Sequence, residues 1–395
     1  MPTTQTVIKF HPFQLSFLVF SMLLNCMGII ILQYSDSAIS YSKLGNLEFF
    51  KDIPIALTSL VCVSFINRFG SKNALKWALF TVVLCSILIP FVNEFWFLKI
   101  WFVLIGVSFS IAKISIFGLI RNNVHGENEL SKVMNRVEAS FMIGICCVNL
   151  LFGSLLNSAY SDYWKFGFWL IAIVALLAII ELNKIHYKEV KSANITSFKY
   201  FGDFINYRNL VFVVILFSIV FVEQCLNSWL PTFYKKHLGV NSFYALQSTA
   251  FLALFSFVGR IITSKIIQKF SAQKYVLFCL TFLMLLIVVG HILINSPSQN
   301  SFPYLMIIFP LLGLFLSPLY PLYNSRFLIN VSQEKINMIT SLIVIVSGLG
   351  SSSGSLAMSY IFQWGAYPYF LMLIMVPLVV VFLITLTFLQ KLILR

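Results

Sequence analysis

The sequence predicts an all-α membrane protein of twelve transmembrane helices in two pseudo-symmetric six-helix bundles. Three observations carry that prediction. The chain is 59% hydrophobic and 10% charged, with a mean hydropathy of +0.91, where a soluble domain carries roughly 25% charged residues. Its apolar runs are about 20 residues long, enough to cross a hydrocarbon core of roughly 30 Å as helices. The runs are continuous, not alternating, which argues against barrel strands, and helices satisfy their own backbone groups in lipid. The third observation is a repeat. The basic turn Asn67-Arg68-Phe69-Gly70-Ser71-Lys72 lies between two apolar runs, and a relative, Gln268-Lys269-Phe270-Ser271-Ala272-Gln273-Lys274, lies between two others. Phe69 and Phe270 stand 201 positions apart, about half the chain.

The spans are expected at 12–34, 47–67, 74–93, 97–119, 139–158, 166–182, 209–230, 243–264, 275–295, 302–323, 337–362 and 366–390. The polar break at 183–208 divides them six and six. The expected parts are therefore an N-terminal half at 1–182, a linker at 183–208 and a C-terminal half at 209–395. With the N-terminus inside, nineteen Lys and Arg fall in inner segments. Only Lys43, Lys99, Lys165, Lys235 and Lys236 fall in outer ones. Positive charge is retained on the cytoplasmic side, so both termini and the linker are expected in the cytoplasm of a multi-pass protein of the cell membrane, the inner membrane in a bacterium. No cleavable signal peptide is expected, because the first apolar run is long enough to remain as a helix.

Several function classes are excluded. The net charge of +14 is spread over short loops and forms no stripe, so no nucleic acid is expected. The seven cysteines all lie inside apolar runs, as small buried thiols. No metal-ligand spacing, nucleophile–base set or phosphate-cradling loop stands out. No cofactor, metal, catalytic residue or enzyme activity is therefore expected, nor direct drive by ATP.

Ionisable groups within a span cost several kcal/mol unless paired or hydrated, which marks them as functional candidates. Glu48, Lys51 and Asp52 fall in the outer part of span two, where Glu48 can face either neighbour at three- or four-residue spacing. Two readings are open: a locally neutralised pair, or a gate or proton-sensitive pair. Glu223 heads Glu223-Gln224-Cys225-Leu226-Asn227 in span seven. Glu223, Gln224 and Asn227 are expected on one helix side, for coupling or substrate binding, against a satisfied structural bond. Lys113 in span four either snorkels inward or meets a carboxylate. Arg260, near the inner end of span eight, reads as a conformational latch. Tyr320, Tyr323 and Asn324 in span ten, and Asn25 and Gln33 in span one, are further polar candidates, with aromatic packing the competitor for the tyrosines. The cluster Ser347-Gly348-Leu349-Gly350-Ser351-Ser352-Ser353-Gly354-Ser355 lets helix backbones approach closely or lines a flexible cavity wall. Pro54, Pro310, Pro318 and Pro321 fall within spans, three of them in span ten, which is expected to be irregular.

Twelve spans, the six-plus-six division and the repeated basic turn together resemble the major facilitator superfamily over essentially the whole chain. Its signature between helices two and three runs G-x-x-x-D-R-x-G-x-[RK]-[RK]. Arg68, Gly70 and Lys72 match it, while Val63 and Asn67 stand in place of the Gly and the Asp. The resemblance implies that this loop latches the outward-facing state, and that helices one, four, seven and ten line a central cavity. Span ten, Gly313-Leu314-Phe315-Leu316-Ser317-Pro318-Leu319-Tyr320-Pro321, resembles the same helix of the fucose–proton symporter group. Unlike that group, this chain has no central acid in span one, and span four carries Lys113.

The expected function is secondary active transport of a small polar metabolite, such as a sugar or amino acid. It would proceed by alternating access, with protons as the coupling ion and the chain acting as a monomer in the bilayer. Drug-exporter branches of the family carry a Gly-rich signature ending in Gly-Pro in helix five; span five has Gly144 and Gly153 but no Gly-Pro, so the resemblance implies uptake. The alternatives are an exporter or siderophore transporter, and a non-transporting membrane sensor on the same fold.

Overall fold

The structure, a computed structural model, describes residues 10–37, 39–124, 127–185, 187, 207–267, 271–295, 301–329 and 336–392. Among these residues there are fifteen α-helices and no strand. They are α1 (His11–Leu24), α2 (Met27–Tyr34), α3 (Tyr41–Gly45), α4 (Leu47–Phe69), α5 (Ser71–Leu88), α6 (Phe95–Asn123), α7 (Glu127–Leu156) and α8 (Gly167–Asn183). The second set is α9 (Tyr207–Lys236), α10 (Ser242–Ile266), α11 (Ala272–Asn295), α12 (Ser301–Leu316), α13 (Leu319–Ile329), α14 (Ile336–Gln363) and α15 (Phe370–Leu392). Most of the expected linker, and Gln268–Phe270 of the second basic turn, lie outside the described residues.

Two expected spans are broken helices. Span one divides into α1 and α2 at Asn25-Cys26, where the Asn25 amide bends back to the Ser21 carbonyl at 2.9 Å. Asparagine competes with the backbone for such bonds, which favours a break. Span ten divides into α12 and α13 at Ser317-Pro318, as its prolines suggest, because proline lacks the N–H that a continuous helix needs. The short helix α3 was not expected. Span five starts well before 139, so Glu138 belongs to a helix.

Among the described residues, eleven helices or helix pairs are long and apolar enough to cross a membrane. The remaining expected span, α4, has 23 residues but is not among them, and it carries Glu48, Lys51 and Asp52 in its first two turns. Large apolar side chains such as Leu57, Trp77, Ile173, Leu285 and Val376 are exposed around the bundle, as expected of a surface solvated by lipid.

The helix packing repeats. In the first half α1 packs on α7, α4 on α6, and α5 on α6 and α8. In the second half α9 packs on α14, α10 on α12, and α11 on α12 and α15. Each pair in the second set stands six spans after its counterpart. The halves meet along α4–α14 and α7–α10, two contacts that the same shift exchanges. Glycines permit the α9–α14 approach: a Cβ on Gly350 or Gly354 would lie 2.7 or 2.5 Å from the carbonyl oxygen of Phe217 or Phe221.

Candidate functional site

The polar groups gather in two places, one toward the bundle end that carries α3 (the distal end) and one toward the opposite, proximal end. The first group lies in the distal half, at the contact between α4 and the second half. Glu48 sits in the first turn of α4 and is fully buried. Lys51, one turn on, forms an ion pair with it. Asp52 lies beside Lys51, with Oδ1 3.9 Å from Nζ. Lys51 also donates to the Leu24 carbonyl at 3.4 Å, just before the break between α1 and α2. Two carboxylates and one ammonium thus share a dry site with a net charge of −1 when all are ionised. Such a site holds only if the remaining lone pairs are satisfied.

The second half supplies bonds to one oxygen of each carboxylate, while Glu48 Oε2 has only the Lys51 ion pair. Gln224 Nε2 donates to Glu48 Oε1 at 2.5 Å, and Ser228 Oγ donates to the same oxygen at 2.8 Å. Ser352 Oγ donates to Asp52 Oδ2 at 2.9 Å. Every one of these bonds crosses between the halves. Nearer the distal surface, Asp36 after α2 pairs with Lys235, at 2.8 Å, and Lys236 at the end of α9. Their bonds hold the Asp36 carboxyl below the usual carboxylate range. The Ser42 N–H donates to Gln363 Oε1 at 3.1 Å, seating α3 on α14. The distal ends of the two halves are closed on each other.

The second group lies toward the proximal side, on α6, α7, α9, α10 and α13. Arg260 on α10 comes within 4.0 Å of Glu223 on α9, and both are about one-third exposed. Lys113 on α6 is half-buried, with Nζ 5.7 and 5.9 Å from the ring centroids of Phe109 and Phe117. It feels the Glu138 carboxylate of α7. Tyr320 on α13 feels both Glu138 and Glu223, and its hydroxyl meets Ser347 Oγ at 3.1 Å. Arg260 and Glu223 thus form one loose pair, and Lys113 and Tyr320 lie within electrostatic reach of Glu138. Asn324, half-buried one turn beyond Tyr320, has an Oδ1 that accepts no bond.

Some expected placements differ. Glu223 and Gln224 do not serve one side: successive helix residues are about 100° apart, so Gln224 reaches α4 while Glu223 turns to α10. Asn227 is half-buried and its carbonyl backs Gly28 of α2. Tyr323 is 1% exposed and bonds Thr385 of α15 at 2.6 Å. It is core, because three residues rotate it about 60° from Tyr320. Asn25 is spent on its own helix, and Gln33 is half-buried in the last turn of α2. In the basic turn, Gly70 has φ 84° and ψ 147°, a region essentially restricted to glycine, which lets α5 start one residue after α4 ends. Lys72 donates to the Ile185 carbonyl after α8 at 2.5 Å. Arg68 is exposed over the Phe69 ring, and Asn67 is half-buried.

Sequence reasoning missed Ser228, Ser352 and Glu138 as site residues. The serine-rich stretch of span eleven was the signal for Ser352. Glu138 was hidden by placing the helix start after it.

Apolar side chains around a duplicated helical bundle, and ionisable groups buried where its halves meet, suit a membrane protein whose halves work against each other. The Major Facilitator Superfamily model matches residues 13–355, and the chain belongs to that family. It is therefore a transporter, not an enzyme, and its twelve-helix, two-bundle fold is the family's. The chain is 29% identical over 228 residues to the chloramphenicol resistance protein CraA of Acinetobacter baumannii, a match spanning 55% of this chain and 53% of that one. It is 22% identical over 316 residues to the glucose/mannose transporter GlcP of Bacillus subtilis, spanning 77% and 74%. Solved structures of like fold include a D-xylose–proton symporter (TM-score 0.71, 14% identity, 97% of each chain). A proton-dependent oligopeptide transporter (TM-score 0.74, 12% identity) covers 95% of this chain and 96% of its own. A bacterial homologue of the lysosomal transporter Spinster has a TM-score of 0.69 at 14% identity, over 96% of each.

Proposed function

We propose that this chain is a proton-coupled importer of a small polar metabolite. Its halves, 1–182 and 209–395, rock about a midplane site. In this reading the proximal end and both termini are cytoplasmic, the distal end faces outward, and the structure is the outward-closed arrangement. The observation that carries it is the Glu48–Lys51–Asp52 triad, bound across the interface by Gln224, Ser228 and Ser352. Burying a net charge costs more than burying a neutral cluster. One proton taken from outside makes the triad neutral and favours closing the distal end over it. Gln224, bonded to Glu48, is the chain neighbour of Glu223, so α9 links the triad to the carboxylates of the inner cleft. Arg260, reaching Glu223, belongs to that cleft more than to a latch, and Asn67, Arg68, Gly70 and Lys72 form the inner-face latch.

In this reading the proximal charges, Lys113 and Arg260 with Glu138 and Glu223, line the substrate cleft. Among small polar metabolites this suits an ionisable one, of amino-acid type, more than a neutral sugar, because each charge gains a partner. A thermal-shift screen of metabolites on the purified protein identifies the ligand, since one that binds only the folded state raises its apparent stability. In proteoliposomes a pH gradient, acid outside, should then drive its accumulation above equilibrium. Accumulation that survives collapse of the gradient refutes proton coupling. The match to a chloramphenicol resistance protein favours export as a second reading. Accumulation only in inside-out vesicles would establish it.

A further inference from the structure

Away from both charge groups, a cavity of about 350 Å³ opens between the distal ends of α4 and α6 beside α3. It is lined by Lys43, Asn46, Phe49, Phe50, Phe95 and Lys99. Lys99 Nζ lies 5.2 and 5.6 Å from the ring centroids of Phe50 and Phe95. Lys43 lies in the middle of α3 and is exposed. Among the described residues neither lysine forms an ion pair. Glu94, at the start of α6, is exposed and pairs with neither. Two cations thus share one aromatic cavity without a counter-charge.

The surroundings identify what such a cavity would take. Trp96, one residue into α6, is exposed, and tryptophan collects at the membrane–water boundary. Ile53 and Leu57 follow Phe49 at four-residue spacing down α4, and Ile100 and Leu104 follow Trp96 down α6. All are exposed. A ligand seated here meets positive charge and rings at headgroup depth, then two apolar stripes running toward the bilayer centre. A free anion would use the lysines and leave the stripes unused. An anionic lipid uses both.

We propose that this pocket is a binding site for an anionic lipid, with its phosphate ester between Lys43 and Lys99 and its acyl chains along α4 and α6. The phosphate gains two charge-assisted partners, and each lysine near an anionic surface contributes roughly fivefold in affinity. α3 is seated on α14 only while the distal end is closed, so the lipid also steadies that arrangement.

The test uses the full-length protein in detergent. Native mass spectrometry measures retention of phosphatidylglycerol against phosphatidylcholine of the same chain length. Unfolding temperature is read with each lipid and, separately, with inorganic phosphate. The expected result is preferential retention and stabilisation by phosphatidylglycerol. Lys99→Gln should reduce the preference roughly fivefold and Lys43→Gln/Lys99→Gln should abolish it, while Lys99→Arg should keep most of it. Equal retention of the two lipids by the wild-type protein overturns the proposal, and does so even if the double variant does not fold. So does a preference that survives in a folded double variant. Inorganic phosphate that matches the lipid's effect overturns the lipid assignment in favour of a soluble anion.

Discussion

Ser352→Ala tests whether the triad holds the distal end shut. The substitution removes one hydroxyl, which donates to Asp52 Oδ2 at 2.9 Å, and alanine is smaller, so nothing clashes. A hydrogen bond to a charged group contributes about 1.5–3 kcal/mol. This bond joins α14 to α4 and exists only while the halves are closed distally. In the open arrangement water reaches Asp52 whatever stands at 352. The loss therefore falls on the closed state alone, and the closed-to-open ratio should fall about 10- to 150-fold. Ser351 lies beside the same carboxylate and can partly replace the lost donor, which places the expectation at the lower end. The readout is alkylation of Ser359→Cys, a position fully buried where α3 meets α14. A thiol there reacts only from the open arrangement, so its rate follows the open population. Peptide mass spectrometry reads that position apart from the seven native cysteines. A rise of about tenfold in the Ser352→Ala background supports the argument. A rate within about twofold of the parent means the cross-interface bond carries no gating energy.

Other consequences are measurable in the same preparations. Asp36→Asn should raise the alkylation rate only about two- to fivefold, since Asp36 is half-exposed and such pairs contribute at most about 1 kcal/mol, and high salt should mimic it. Because the Asp36 carboxyl is held below its usual value by Lys235 and Lys236, its strap is present at neutral pH. It should persist as pH falls to about 4 and be lost only on passing below the depressed value. Gly70→Ala should destabilise the protein by about 1–3 kcal/mol, read as a lower unfolding temperature. Glu223→Gln should abolish gradient-driven accumulation while leaving the distal alkylation rate near that of the parent, because Glu223 faces the cleft and not the triad. Equal loss of both would place it in the gate.

The fold was readable because membrane solvation leaves a coarse and redundant signal. Any twenty-residue apolar run must be a helix, so error was confined to where helices break or begin. Both breaks, at Asn25 and at Pro318, lie at residues with a local backbone reason to interrupt a helix, yet only the proline break was anticipated. An asparagine in a span reads equally well as a ligand, and its bond to Ser21 is visible only in three dimensions. The candidate site divides along the same line. A charge in a span is conspicuous, so Lys51, Asp52, Lys113 and Glu223 could be picked out singly. Their partners could not, because Gln224, Ser228 and Ser352 are ordinary polar residues until α9 and α14 are docked on α4. Partnership is what separates a gate from a local ion pair at Glu48. Within α4, Glu48 and Lys51 satisfy the bland reading entirely. Only the donors arriving from the other half tie that ion pair to the relative position of the bundles, and hence to a transport cycle.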